Sequence, residues 1–304
     1  MIKPPNPNQV IRFDWAMKTI LRDKANFDVL EGFLSALLNE PITVLQLLES
    51  ESNQSTEKMK YNRVDILVAD SQNRHVIIEI QNNHETDYLY RLLFGSSKII
   101  IDTLEIGQPY REIAKVISIS ILYFNLGSGN DYIYYGSTEF VGLHTQEPLT
   151  LRQLEITPTS KYYRDVDLTK EIFPEYYLIQ VGRFEDIVEQ PLDEWIYMLK
   201  HAEIPAHFTA RNIAQARAKL SLLQMSSDER RRYEKYMQAL VSERDIVETA
   251  ENKGFARGHQ QGQDEGRQAE KIAIAQNMLA NGLPTTLIAQ MTELSLAEIE
   301  ALTA

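Results

Sequence analysis

The pattern of apolar and polar positions along the chain predicts an α/β core followed by a helical region. Residues 11–39 carry two apolar stripes at helical spacing, separated by a polar interruption at 22–26. A further helix is expected over Asp87–Asp102, and Val116–Phe124 is apolar at nearly every position, as in a strand buried on both faces. The other strand candidates are Ile42–Leu48, Tyr132–Phe140 and Tyr176–Val181. From Leu192 onward the pattern is helical, so we expect a central mixed sheet flanked by helices, with a helical C-terminal extension.

Two neighbouring strand-like segments carry acids within runs of β-branched residues. Residues 64–70 and 75–81 are separated by a short polar turn and predict a β-hairpin. A connecting loop with an odd number of residues places Asp65 directly opposite Glu79. The same register gives one wholly apolar face, on which Val64, Ile66 and Val68 lie opposite Ile80, Ile78 and Val76.

Two carboxylates opposed in this way repel each other unless a positive charge lies between them. Their Cβ atoms would be about 5 Å apart. A solvated sheet face accommodates such a pair, and so does a hard divalent cation such as Mg²⁺ with oxygen ligands. Gln81 falls on the same face, which favours the second interpretation.

Composition narrows the class of protein further. The 304 residues carry a net charge of −12, most of it within residues 1–205, which argues against non-specific coating of DNA. The chain has no cysteine, so it has neither disulfides nor thiolate metal sites, and a cytoplasmic location is expected. No apolar run is long enough for a membrane span, and residues 1–7 lack a signal-peptide core.

The C-terminal region shows two features of its own. Glycines recur every four residues at Gly254, Gly258, Gly262 and Gly266, which fits either a flexible joint or a close helix–helix contact. We favour the contact, and hence a homo-oligomer formed through this region. Residues 277–302 resemble a small helix-turn-helix (HTH), but Lys271 is almost the only base nearby, so DNA binding by this segment alone is not expected.

Several short motifs occur in an order that resembles one known family. They are Phe13–Lys18, Val64–Leu67, Ile78–Gln81, Arg91–Phe94, Gly107 with Tyr110, and Glu194-Trp195 with Leu199. Together they resemble the recombination-promoting nuclease / putative transposase family, of the PD-(D/E)XK phosphodiesterase fold. The resemblance covers residues 11–205 and implies a nuclease-like domain over 1–205, with a helical region over 206–304.

The resemblance implies a metal-dependent DNA endonuclease related to recombination and transposition. Asp65 and Glu79 would hold Mg²⁺ or Mn²⁺, with the carbonyl of Ile80 as a further ligand. Gln81 stands where the motif has lysine; it can orient a water molecule, but it supplies no charge and cannot act as a base. Arg91 would contact phosphate, or else lie on a solvated helix face.

Other interpretations stay open at this stage. The fold often adds another acid from its first helices, for which Asp14 and Glu31 are both candidates. A catalytically inactive nuclease fold that binds DNA or oligomerises is the alternative to an enzyme. An RNA-directed nuclease would use the same site.

Overall fold

The computed structural model describes residues 8–48, 65–104, 107–156, 160–166 and 169–302. The chain forms two compact units, Met1–Tyr233 and Glu234–Ala304. The domain boundary expected at residue 205 stays a prediction. Val64, which belongs to the predicted apolar face of the hairpin, lies outside the described residues.

A six-stranded mixed sheet forms the centre of the first unit. Its order is β1-β2-β3-β4-β8-β5, in which β3, β4 and β8 run parallel and the other three strands are antiparallel to their neighbours. The strands are β1 (Val44–Leu47), β2 (Ile66–Asp70), β3 (His75–Gln81), β4 (Val116–Leu122), β5 (Ile133–Gly136) and β8 (Glu175–Gln180). The predicted mixed sheet is thus confirmed, and β4 is buried along its whole length.

The hairpin of β2 and β3 has the register that the apolar pattern selects. Ile66 pairs with Ile78, and Val68 pairs with Val76. The next step of this ladder places Asp65 opposite Glu79. A slip of one residue would move the aliphatic side chains to the other face, and burial of both strands disfavours it.

Helix α3 (Tyr88–Asp102) connects β3 to the parallel strand β4 and covers one face of the sheet. Its residues Ile99 and Ile100 pack on a cluster of Leu67, Ile77 and Val116. These sheet residues lie on the same face as Asp65 and Glu79, because side chains alternate along a strand. The N-terminal turn of α3 therefore lies over the acidic end of the hairpin.

Helices α1 (Phe13–Thr19), α2 (Phe27–Leu38) and α5 (Pro191–His201) form an aromatic core. Phe33 contacts both Phe13 and Trp195 edge to face, with ring centroids 5.7 and 6.1 Å apart. Gly32 makes this packing possible, since a Cβ there would lie 2.6 Å from Trp195 Cζ2. The remaining elements of the unit include α4 (Thr169–Ile172), α6 (Ile213–Lys219) and a separate hairpin, β6 (Leu151–Ile156) with β7 (Lys161–Val166).

The second unit is helical, as predicted. Helix α7 (Ser227–Ala280) begins in the first unit and continues through all four recurring glycines without interruption. A Cβ at any of these glycines would meet nothing within 4 Å. Helices α8 (Thr285–Thr292) and α9 (Leu296–Ala301) close the chain around Ala275, Ile288, Leu294 and Ile299. No helix in the described ranges is long and apolar enough to cross a membrane.

Candidate active site

Asp65 lies just before β2 and replaces a hydrogen bond of the sheet ladder. Its Oδ2 accepts a hydrogen bond from the Ile80 amide at 2.8 Å. In a continued antiparallel ladder that amide would donate to the backbone of the facing strand. The Asp65 side chain is therefore fixed beside the end of β3, and Arg22 Nη2 donates to its backbone carbonyl at 2.9 Å.

Glu79 is a buried carboxylate within β3. Its exposed fraction is 7%, and no side chain in the described part of the molecule donates a hydrogen bond to it. Burial raises the pKa of Glu79 from 4.5 to about 7; Arg91 opposes this shift, while Asp65 and Glu85 add to it. An acid of this kind is costly to keep ionised without a partner.

Three further buried polar atoms close to Glu79 make no hydrogen bond of ordinary geometry within the described chain, although Tyr88 and Ser120 lie close enough for Ser120 to lower the pKa of Tyr88. They are Tyr88 Oη and Arg91 Nε on α3, and Ser120 Oγ on β4. Ser120 pairs directly with Glu79 in the parallel ladder. Burial, and then the negative charge of the nearby Glu79 carboxylate, raise the pKa of Tyr88. Buried polar groups are nearly always paired in native proteins, so this cluster is suited to a ligand, an ion or water.

Gln81 and Arg91 share one acceptor, the carboxylate of Glu85. Gln81 Nε2 donates to Glu85 Oε1 at 2.6 Å, and Arg91 Nη1 donates to the same oxygen at 2.8 Å. Arg91 is thus half-buried in an ion pair at the site and does not lie on a solvated helix face. The charges of Glu79 and Glu85 outweigh burial and raise the pKa of Arg91.

Sequence reasoning missed Glu85. It stands in the short segment between β3 and α3, outside any periodic pattern. The signal that could have identified it is its position four residues after Gln81, at the N-terminal side of the helix that carries Arg91. The sequence-predicted residues Asp65, Glu79, Ile80, Gln81 and Arg91 all meet at this end of the sheet.

The two candidates for an additional acid lie at different ends of the sheet. Asp14 is buried, accepts hydrogen bonds from Arg12, and contacts Asn82, the residue after Gln81. Glu31 instead accepts a hydrogen bond from the amide of Val44, which pairs with Asp70 at the turn end of the hairpin. Asp14 is therefore the candidate on the same side as Glu79, and its carboxylate is already paired with Arg12.

The second acid of the first strand, Asp70, belongs to the hairpin turn. It accepts hydrogen bonds from the amides of Gln72 and Arg74 and from Arg74 Nε. Arg74 also pairs with Glu40. All of these contacts serve the turn, so Asp70 is a structural acid.

The donor set at the site fits a hard cation only in part. Among the described residues, no three His, Asp or Glu side chains converge on a common metal-binding point. Asp65 and Glu79 nevertheless lie opposite each other, and the Ile80 carbonyl faces the same strand edge as its amide, beside Asp65. Two carboxylates with water and substrate oxygens are a common ligand set for Mg²⁺. The unpartnered Tyr88, Ser120 and Arg91 atoms leave polar capacity for such ligands.

Comparison with known proteins agrees with this geometry. Residues 11–250 match the family described as PD-(D/E)XK nuclease family transposase. Residues 268–304 match the C-terminal HTH domain of the Rpn/YhgA-like nuclease family, over the segment predicted to be helix-turn-helix. No curated protein and no solved structure matches the chain. Because the first match spans well over half of the sequence, the chain belongs to the PD-(D/E)XK nuclease family transposases.

Proposed function

We propose that the protein is a DNA endonuclease that uses Mg²⁺ or Mn²⁺ to hydrolyse phosphodiester bonds and so promotes recombination. The observation that carries this proposal is the environment of Glu79. A buried carboxylate with a raised pKa, facing Asp65 and surrounded by unpartnered polar atoms, gains stability when a cation binds. The family provides the chemical class of the reaction.

Each residue of the candidate site has a separate proposed role in metal binding or in hydrolysis. Asp65, Glu79 and the Ile80 carbonyl would hold the cation. Bound there, a divalent cation lowers the pKa of a coordinated water and offsets charge on the phosphoryl oxygens. Gln81 would orient the attacking water. Arg91 would direct the free part of its guanidinium towards phosphate, since Nη1 is already engaged by Glu85.

DNA as substrate is supported by the HTH domain, although that domain is acidic. Lys271 is the one basic residue within 268–304, and its Nζ is paired with Glu293 at 2.6 Å. We therefore infer that phosphate contacts are made chiefly by cations of the first unit, Arg91 and Arg22 among them. The HTH domain would add orientation more than charge.

We also infer a homo-oligomer formed through the C-terminal region, and a cytoplasmic location. The open glycine face of α7 leaves room for a second helix to approach closely. The cysteine-free composition fits a reducing compartment. Light scattering of the full chain tests the first inference; a monomer at micromolar concentration would contradict it.

Nicking of supercoiled plasmid, with Mg²⁺, with Mn²⁺ and with a chelator, tests the proposed activity. Asp65→Asn and Glu79→Gln should lower the rate by at least about 100-fold, because replacing groups that only support metal ligands already costs 10- to 100-fold in activity. Asp87→Asn is the matched control: this exposed acid precedes α3 and caps nothing with its side chain. Equal rates for wild type and Asp65→Asn would contradict the proposal.

The alternative function is a DNA-binding or oligomerising protein without catalysis. Two observations favour it: the motif lysine is replaced by Gln81, and within the described residues no third carboxylate joins Asp65 and Glu79 at a common metal-binding point. A gel-shift assay run beside the nicking assay separates the two functions, since the alternative predicts retained DNA without cleavage. Labelled RNA in a parallel reaction decides between the two nucleic acids.

A further inference from the structure

The geometry points to Glu85 as a positioning residue that fixes which end of the Gln81 amide faces the reaction centre. Glu85 Oε1 accepts hydrogen bonds from Gln81 Nε2 at 2.6 Å and from Arg91 Nη1 at 2.8 Å. One carboxylate oxygen thus connects the end of β3 with the first turns of α3. The inference rests on the proposed function, because it concerns the same site.

The direction of the Gln81 amide follows from hydrogen-bond chemistry. The oxygen and nitrogen of a glutamine side chain are normally hard to tell apart. Here the partner is a carboxylate in an ion pair with Arg91, and an ionised carboxylate only accepts hydrogen bonds. Gln81 must therefore present its NH₂ group to Glu85, and its carbonyl oxygen is the end that remains.

That oxygen is available for a ligand. Within the described residues none donates to Gln81 Oε1, while its amide nitrogen is already engaged. Gln81 and Glu79 lie on the same face of β3, because they are two residues apart in a strand. Glutamine carbonyl oxygens are ordinary ligands for hard cations and acceptors for water.

Gln81 would therefore act in the opposite sense to a lysine. A lysine at this position donates hydrogen bonds and adds positive charge. Gln81, held by Glu85, offers an acceptor that can take a hydrogen bond from the attacking water or join Asp65 and Glu79 around the cation. Glu85 also restricts Arg91, so a single substitution at Glu85 releases both neighbours.

Selective ¹⁵N-glutamine labelling of the full chain tests the positioning without any metal. The side-chain NH₂ signals of Gln81, assigned by their loss in Gln81→Met, should be shifted and slow to exchange in the wild type. They should move towards those of exposed glutamines in Glu85→Gln and stay in place in Asp87→Asn. Unchanged Gln81 signals in Glu85→Gln would overturn the inference.

Calorimetric titration with Mn²⁺ tests the consequence. Glu85→Gln should weaken binding by about tenfold, the usual loss when a group that orients a ligand is removed. Asp87→Asn should cost less than about threefold, because an exposed charge is screened by salt. In the Gln81→Met background the effect of Glu85→Gln should fall to that of Asp87→Asn.

If the losses of Mn²⁺ affinity caused by Glu85→Gln and Gln81→Met are additive in this double-mutant cycle, Gln81 is not a ligand positioned by Glu85. Failure of the wild type to bind Mn²⁺ would overturn the proposed function and, with it, that role. The amide signals would then still decide whether Glu85 orients Gln81.

Discussion

The two ends of the β2–β3 hairpin each bury an acid, and the two acids are treated in opposite ways. At the turn, Asp70 accepts three hydrogen bonds, one of them from the guanidinium of Arg74. At the open end, Glu79 is almost as well buried, yet no described residue donates a hydrogen bond to it. The same strands thus hold one satisfied acid and one unsatisfied acid.

This difference distinguishes the two acids more clearly than their burial does. Asp70 fixes the turn and hence the register through the hydrogen bonds that its side chain accepts. Glu79 is held in a site that disfavours its charge, and its pKa is raised to about 7. The energetic cost of ionising a buried carboxyl group is tolerated in proteins where the binding of a ligand offsets it.

The largest expected effect on stability comes from replacing Asp70, at the turn end of the hairpin. Asp70→Ala should lower the free energy of unfolding by about 4 kcal/mol, because it leaves Arg74 and two turn amides without their acceptor. Urea unfolding followed by circular dichroism measures the loss. Glu147→Gln, on an exposed loop, is the control and should change nothing. A loss below about 1 kcal/mol would place Asp70 outside the structural class.

Glu79→Gln should raise the free energy of unfolding, whereas Asp70→Ala lowers it. In the folded chain the pKa of Glu79 is about 7, against an ordinary value of 4.5, so the folded state keeps a proton that the unfolded state releases. The contribution of Glu79 to the free energy of unfolding is therefore present in full below pH 4.5. It is lost as the pH rises towards 7, and the total loss is about 3 kcal/mol.

Replacing the acid by an amide removes this loss. At pH 8 in chelator, Glu79→Gln should unfold at a higher urea concentration than wild type, and at pH 4 the two should coincide. A variant less stable than wild type at pH 8 would show that Glu79 is a structural acid like Asp70. Mn²⁺ should stabilise only the wild type.

Arg91 gives a smaller effect, which appears in binding more than in stability. Its side chain is 35% exposed, so Arg91→Ala should cost little folding energy. In a filter-binding assay with duplex DNA it should reduce affinity about tenfold and lower the slope of log affinity against log salt by about one. Arg257→Ala, on the exposed face of α7, is the control. An unchanged slope would mean that Arg91 makes no phosphate contact.

The smallest expected effect distinguishes the buried Tyr88 from the partly buried Tyr132. Tyr88→Phe removes a hydroxyl that makes no hydrogen bond of ordinary geometry in the described chain, so stability should stay the same or rise by up to about 1 kcal/mol. Tyr132→Phe removes a hydroxyl that donates to Asp193, and should lower stability by about 1 kcal/mol. Thermal melts of the two variants side by side measure the contrast. Equal losses would remove the distinction between the two environments.

The fold was predictable where local pattern and burial agree. The hairpin register follows from aliphatic positions two residues apart, and the buried strand β4 follows from its continuous apolar run. The hairpin of β6 and β7 was not predicted, because apolar and polar residues mix along both strands without a clear alternation. The apolar pattern carries no information about such an element.

For the candidate site, the sequence predicted which residues come together but not the hydrogen bonds that connect them. Alternation and resemblance identify Asp65, Glu79 and Gln81, because Glu79 and Gln81 lie on β3 and Asp65 directly precedes β2. Glu85 comes from a loop, and its role depends on a hydrogen bond that no periodicity encodes. The choice between Asp14 and Glu31 likewise depended on which end of the sheet each helix reaches.

Apart from Arg22, the groups proposed for chemistry come from one continuous run of chain, from Asp65 to Arg91. Their contacts therefore have low contact order, and the hairpin, the loop and the start of α3 can assemble before distant parts of the chain are in place. Helices α5 and α6 lie outside this run. Such a chain can change its periphery and its partners over evolution while a single short segment keeps the reaction.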